Sequence, residues 1–159
     1  MRLLTYVAAM AAVAATALAA PPAERTRSYL RIDGVPGASN DPNHLGWFDV
    51  ASWTPGPPTS DGRATARIHL VGAPSPDIAA AVAGRKSLHE ALLQDVQPDG
   101  RLVRSVSFWS FAITGPTPAK GPPATYAVTL QAQHAVCDDY GPPPPGGGPC
   151  AVLKAGQKP

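Results

Sequence analysis

Residues 102–113, LVRSVSFWSFAI, constrain the fold more than any other part of the chain. Aromatic and β-branched residues crowd the run and neither Gly nor Pro interrupts it, which is the composition of a strand. One face carries Val106 and Phe108, the other Ser107, Trp109, Phe111 and Ile113. Both faces are bulky, so such a strand is covered on both sides or meets another subunit with one of them. Pro98-Asp99-Gly100 just before it is a strong hairpin turn. Residues 88–94 pass for helix on propensity alone. The stop at Gly84 and the turn at 98–100 decide for a strand, pairing residues 89–97 with 101–113.

The same period of two recurs along the chain. Leu30 and Ile32 alternate with Arg31 and Asp33 over 29–33, and 47–53 is aromatic and β-branched. Ile68 and Leu70 alternate with Arg67 and His69 over 64–71, which points His69 outward. Tyr126, Val128, Leu130 and Ala132 alternate with their neighbours over 125–135. The long turn between the first two strands is built of Gly34, Pro36, Gly37, Asn40, Asp41 and Pro42. His44 in that turn reads as a solvated loop residue. One helix is signalled, with Ser75 as N-cap, Pro76 at the first position and Asp77 in the first turn. Ile78, Ala81 and Val82 share a face, and Gly84 ends the helix as a C′ residue. The expected fold is mainly β: a six-stranded antiparallel barrel or sandwich with one short helix between strands three and four.

The chain has 159 residues, room for one cored domain. Its 13 Lys+Arg against 11 Asp+Glu give no basic nucleic-acid face. Residues 1–19 read as a cleaved export signal: Arg2, an alanine-rich apolar stretch, and Ala17-Leu18-Ala19 before the cut. Residues 20–27 read as a flexible leader, 28–136 as the folded domain and 137–159 as a Pro/Gly-rich loop and tail. The chain is thus expected to be exported, periplasmic or secreted, with no membrane attachment after cleavage. Cys137 and Cys150 flank that loop, and an even pair in an exported chain reads as a structural disulfide.

No catalytic, cofactor or metal site is expected. His44, His69, His89 and His134 lie in four separate elements, and no nucleophile or metal signature accompanies them.

Ile-Asp-Gly-Val-Pro-Gly, Asn-Asp-Pro-Asn-His and Trp-Phe-Asp-Val-Ala-Ser-Trp together resemble the start of the Hcp family, the tube proteins of type VI secretion systems. The later order of helix, Gly-basic break and long hairpin resembles that family too, so the likeness covers roughly residues 28–136. The resemblance implies a structural protein that self-assembles into hexameric rings, stacks them into tubes and carries effectors in the lumen. It makes Trp47, Phe48, Trp53, Trp109 and Phe111 candidates for core or ring-interface packing. The export signal and the cysteine pair lie outside the resemblance. They support an alternative, an exported monomeric β-domain that binds a protein or glycan through its Pro-rich loops.

Overall fold

The computed structural model describes residues 25–84, 87–118, 124–142 and 148–155. The export signal assigned to residues 1–19 lies outside the described residues. The elements in chain order are β1 (Arg27–Ile32), β2 (Phe48–Gly56), β3 (Ala64–Val71), α1 (Pro76–Ala83), β4 (Leu88–Val96), β5 (Leu102–Pro118), β6 (Thr125–Asp139) and α2 (Gly148–Ala155). The strands close into a barrel in the order β1-β2-β3-β6-β5-β4, every neighbour antiparallel. The expectation of a six-stranded antiparallel fold holds, and the barrel form is the one adopted. Alternation does this work: Leu30, Ile32, Ile68, Leu70, Leu93, Val128 and Leu130 all point into one buried cluster.

α1 forms as its sequence signals. The Ser75 hydroxyl accepts from the Ile78 N–H at 3.2 Å, satisfying one of the donors that a helix start leaves free. Gly84 ends it in a right-handed conformation, φ −67°, with its N–H on the Ala80 carbonyl. The left-handed turn that a C′ glycine permits is not used. β3 and β4 are not neighbours in the barrel, so α1 crosses one mouth between them and drops Ile78 into the core.

The two-faced reading of 102–113 is corrected. Val106 and Phe108 point inward, and so do Phe111 and Ile113. The strand changes phase between them, with Trp109 and Ser110 both turned outward. Ser110 takes a left-handed φ of 50°, uncommon for a residue with a side chain. The neighbours change phase at the same place: Leu88 and Ala91 flank outward His89 and Glu90, and Ala132 and Ala135 flank outward Gln133 and His134. Because all three strands shift together, the ladder stays in register. The bulk on both apparent faces therefore serves one core, and Phe108 and Phe111 are both fully buried.

At the other mouth the inward positions turn polar. Ser28, Asp95, Arg104 and Asp139 are successive cross-strand partners on β1, β4, β5 and β6. The Ser28 hydroxyl donates to Asp95 Oδ1 at 2.6 Å, and Trp53 Nε1 donates to the same carboxylate at 3.1 Å. Arg104 bridges the two acids, Nη1 on Asp95 at 3.0 Å and Nε on Asp139 at 2.6 Å. Its guanidinium also lies 5.9 Å from the Trp53 ring. Asp95 is only 5 % exposed, and a buried charge persists only when it is paired and hydrogen-bonded, as here. Among the described residues no buried side-chain nitrogen or oxygen lacks a partner.

The last strand runs four residues beyond the expected end at Ala135, because Val136, Cys137, Asp138 and Asp139 go on pairing with β5. A second helix, α2, follows where a polar tail is expected. It packs on β6 and β2 and closes the polar mouth with Cys150 and Leu153, both in the core cluster. Cys137 and Cys150 form the expected disulfide, Cα–Cα 5.2 Å, across 13 residues. The bond thus ties a core strand to the helix that covers the mouth, rather than closing a loop on itself. Loop-closure entropy for a link of this span stabilises by about 3 kcal/mol. Replacing both cysteines with alanine is expected to lower the free energy of denaturant unfolding by about that amount. An unchanged unfolding midpoint would show that the bond adds nothing to the stability of the barrel.

Candidate functional site

The loop between β1 and β2 is held together by its own hydrogen bonds. It doubles back on itself: the Gly37 N–H bonds the Gly46 carbonyl at 2.7 Å and the Ser39 N–H bonds the Trp47 carbonyl at 2.8 Å. A Cβ at Gly37 would collide with the Trp47 backbone, so glycine is required there. Asp41 organises the tip, accepting from the Asn43 N–H at 3.0 Å and from the Tyr29 hydroxyl at 3.2 Å.

His44 fastens this loop to the barrel wall, correcting its reading as a solvated turn residue. It is 7 % exposed and stacks flat on Tyr29, ring centroids 4.0 Å apart. Trp47 meets it edge-on at 4.9 Å and in turn lies under the Arg31 guanidinium at 5.5 Å. His44 Nδ1 is 2.9 Å from Asp41 Oδ1, and an ionised carboxylate only accepts, so this nitrogen carries the proton. Nε2 faces the Gln94 side-chain amide at 3.2 Å. The protonated ring donates to Gln94 Oε1 as it stands; the neutral ring accepts from the same amide after a half-turn. Tyr29 and Gln94 are cross-strand partners on β1 and β4, so the loop straddles the line where the barrel closes.

The His44 bond comes first among the effects that hold the Asp41 carboxyl below the usual carboxylate range. Burial pushes the Tyr29 phenol up. A cleft of about 320 Å³ opens beside the cluster, lined in part by Arg27, Asn43, Gln97 and Leu102. An Asp–His pair orients the base in many hydrolases. Here both ring nitrogens are engaged, one by Asp41 in the loop and one by Gln94 on the wall, so the pair fastens the loop to the barrel. Among the described residues no group of three or more His, Cys, Asp or Glu side chains could hold a metal ion. No helix among the described residues is long and apolar enough to cross a membrane.

The five aromatics singled out by the sequence are not brought together. Phe48 and Phe111 are buried in the core. Trp53 belongs to the polar mouth and Trp47 to the loop cluster. Trp109 alone stands outward on the wall, half-buried among its neighbours. Sequence reasoning missed Asp95 and Arg104. Their signal was present: Asp95 shares the phase of Ala91 and Leu93, and Arg104 that of Val106 and Phe108.

The same fold recurs in solved structures. A crystal structure of Hcp1 from Salmonella typhimurium superposes with a TM-score of 0.63 at 17% identity, covering 72% of this chain and 86% of that one. The fold is Hcp-like. The secreted protein Hcp3 from Pseudomonas aeruginosa gives 0.58 at 14% identity, with 74% of this chain and 100% of that one. A type VI secretion system effector from Yersinia pestis gives 0.58 at 16% identity, with 70% and 87%. No family model matches the sequence, and no curated protein matches it.

Because the Asp41 carboxyl sits below its ordinary value in the folded chain, it favours the folded loop above the ordinary carboxylate range. That contribution is lost as pH falls through the lowered value. Acidification below about pH 4 is expected to loosen the loop, read as a change in the emission of Trp47 against His44. Asp41→Asn should show the loosened emission already at neutral pH, with the acid step gone. A step of equal size in the variant would assign it to another group.

Proposed function

We propose that the chain is an Hcp-like structural protein, similar to the tube subunit of type VI secretion, that assembles with copies of itself into rings. The Hcp-like barrel carries this reading. A subunit of that kind needs no reacting groups; it needs complementary surface on its opposite sides. Two surfaces support this reading. Val136, Tyr140 and Val152 are exposed apolar side chains where β6 ends and α2 begins. A groove of about 200 Å³, lined in part by Phe48, Val71 and Tyr126, opens at the opposite mouth. Exposed apolar side chains near one mouth and a hollow at the other support a head-to-tail contact, which closes into a ring when its rotation closes. Of the five aromatics, we assign Phe48, Phe111, Trp53 and Trp47 to packing within the subunit; Trp109 lies on the wall, outside both of these surfaces.

Export through a cleaved signal over residues 1–19 is part of the proposal, and the disulfide supports it, since such bonds persist in oxidising compartments. Six copies per ring and an effector cargo are carried over from the resemblance. Light scattering on a sizing column tests the reading. The oxidised chain from Ala20 onward is expected to elute with the mass of a ring of about six copies. Tyr140→Asp and Val136→Asp, which place charge among the exposed apolar side chains, are expected to reduce it to a single copy. A wild-type chain that stays single at all concentrations would leave the exported monomeric binder as the reading.

A further inference from the structure

The phase change in β4, β5 and β6 places six outward side chains together on the barrel wall. Glu90, Trp109 and His134 are direct cross-strand partners, so strands about 4.8 Å apart set them in one row. His89, Ser110 and Gln133, the second outward residue of each strand, form a row beside them. An ordinary strand would send one member of each pair inward; on β5 the left-handed φ of Ser110 accompanies the change, and β4 and β6 shift with it through their pairing. The result is a tryptophan ring framed by a carboxylate, two imidazoles, a primary amide and a hydroxyl.

These polar groups are unspent. Within the described residues the side chains of His89, Ser110, Gln133 and His134 make no hydrogen bond, and the Trp109 indole N–H donates to none. Glu90 has a single loose partner, Arg31 at 3.8 Å. An aromatic face ringed by free donors and acceptors matches one ligand chemistry well. A pyranose offers an apolar C–H face to a flat ring and a rim of hydroxyls to the groups around it. The charge balance narrows the class. Glu90 at the rim disfavours acidic sugars, and the scarcity of cations disfavours nucleic acid, which binds through phosphate neutralisation. The surface is an open wall rather than a cavity, which suits a chain that can lie across three strands.

The geometry points to a saccharide-binding face on β4, β5 and β6, with the Trp109 ring as its stacking platform and an extended neutral β-1,4-linked polysaccharide as its ligand. Trp109 holds the sugar face; Glu90 and His134 bond hydroxyls on either side; Gln133 and His89 reach the next unit. The site is separate from the surfaces assigned above to self-assembly, so it stands whether the chain is single or in rings.

Calorimetric titration with two probes, the β-1,4-linked hexamers of glucose and of N-acetylglucosamine, tests it on the full mature chain. At least one probe is expected to bind saturably and to quench tryptophan emission. Trp109→Ala is expected to weaken it by about tenfold or more, while Trp109→Phe, which keeps a stacking ring, retains most of it. Gln133→Ala, an exposed change that leaves the core untouched, is expected to weaken it by less and keeps the test open if Trp109→Ala fails to fold. Particle mass should be the same for all variants. Absence of binding by both hexamers at about millimolar concentration would overturn the proposal, as would undiminished binding by Trp109→Ala. A change of particle mass in Trp109→Ala would overturn it in favour of a subunit contact.

Discussion

Closure of the barrel by β1 against β4 is the constraint on which the rest of the structure depends. Six residue pairs make that seam, from Arg27 with Val96 to Ile32 with Ala91. Without it the sheet would present two open edges, each a template for pairing with another chain. β1 is only 6 residues long, so its backbone ladder is short. Side chains on both faces reinforce it. Inside, Leu30 and Ile32 enter the core and Ser28 bonds Asp95. Outside, His44 stacks on Tyr29 and bonds Gln94, and Arg31 reaches Glu90. The polar mouth and the loop cluster are therefore two fastenings of one seam, one on each side of the wall.

Much of this was legible because it is local. β3 follows its alternation to the residue, and the Pro98-Asp99-Gly100 turn pairs β4 with β5 as expected. Ser75 and Pro76 start α1 where capping chemistry dictates. What escaped were features set by partners distant in sequence. His44 looks solvated until Gln94, 50 residues away, comes beside it. The end of β6 looks like tail because Cys137-Asp138-Asp139 is not apolar; it is strand because Arg104 needs Asp139 across the ladder. The phase change on β5 hides in plain spacing, since Phe108 and Phe111 are three apart and no strict alternation buries both. Of the candidate site residues, the sequence could name the aromatics but could not divide core from surface, because burial is settled by the whole barrel.

A closed barrel spends the backbone groups of its strands on the ladder, so its wall meets another molecule through side chains. In the assembly proposed above, that limits how copies can meet. The exposed apolar side chains beside α2, the groove at the far mouth and the tryptophan wall are all side-chain surfaces on a scaffold that need not change to use them. The disulfide and the second helix fit the same logic, because they seal a mouth whose inward residues are polar and would otherwise admit water.

Amide hydrogen exchange along β1 and β4, followed in the dilute chain and at concentrations where the proposed ring would form, tests this account most directly. A barrel closed within each chain predicts strong protection of 27–32 and 88–96 in the dilute chain, with no further gain on assembly. Protection that appears in these strands only on assembly would contradict it. It would mean that the seam forms between copies, with each chain contributing an open edge.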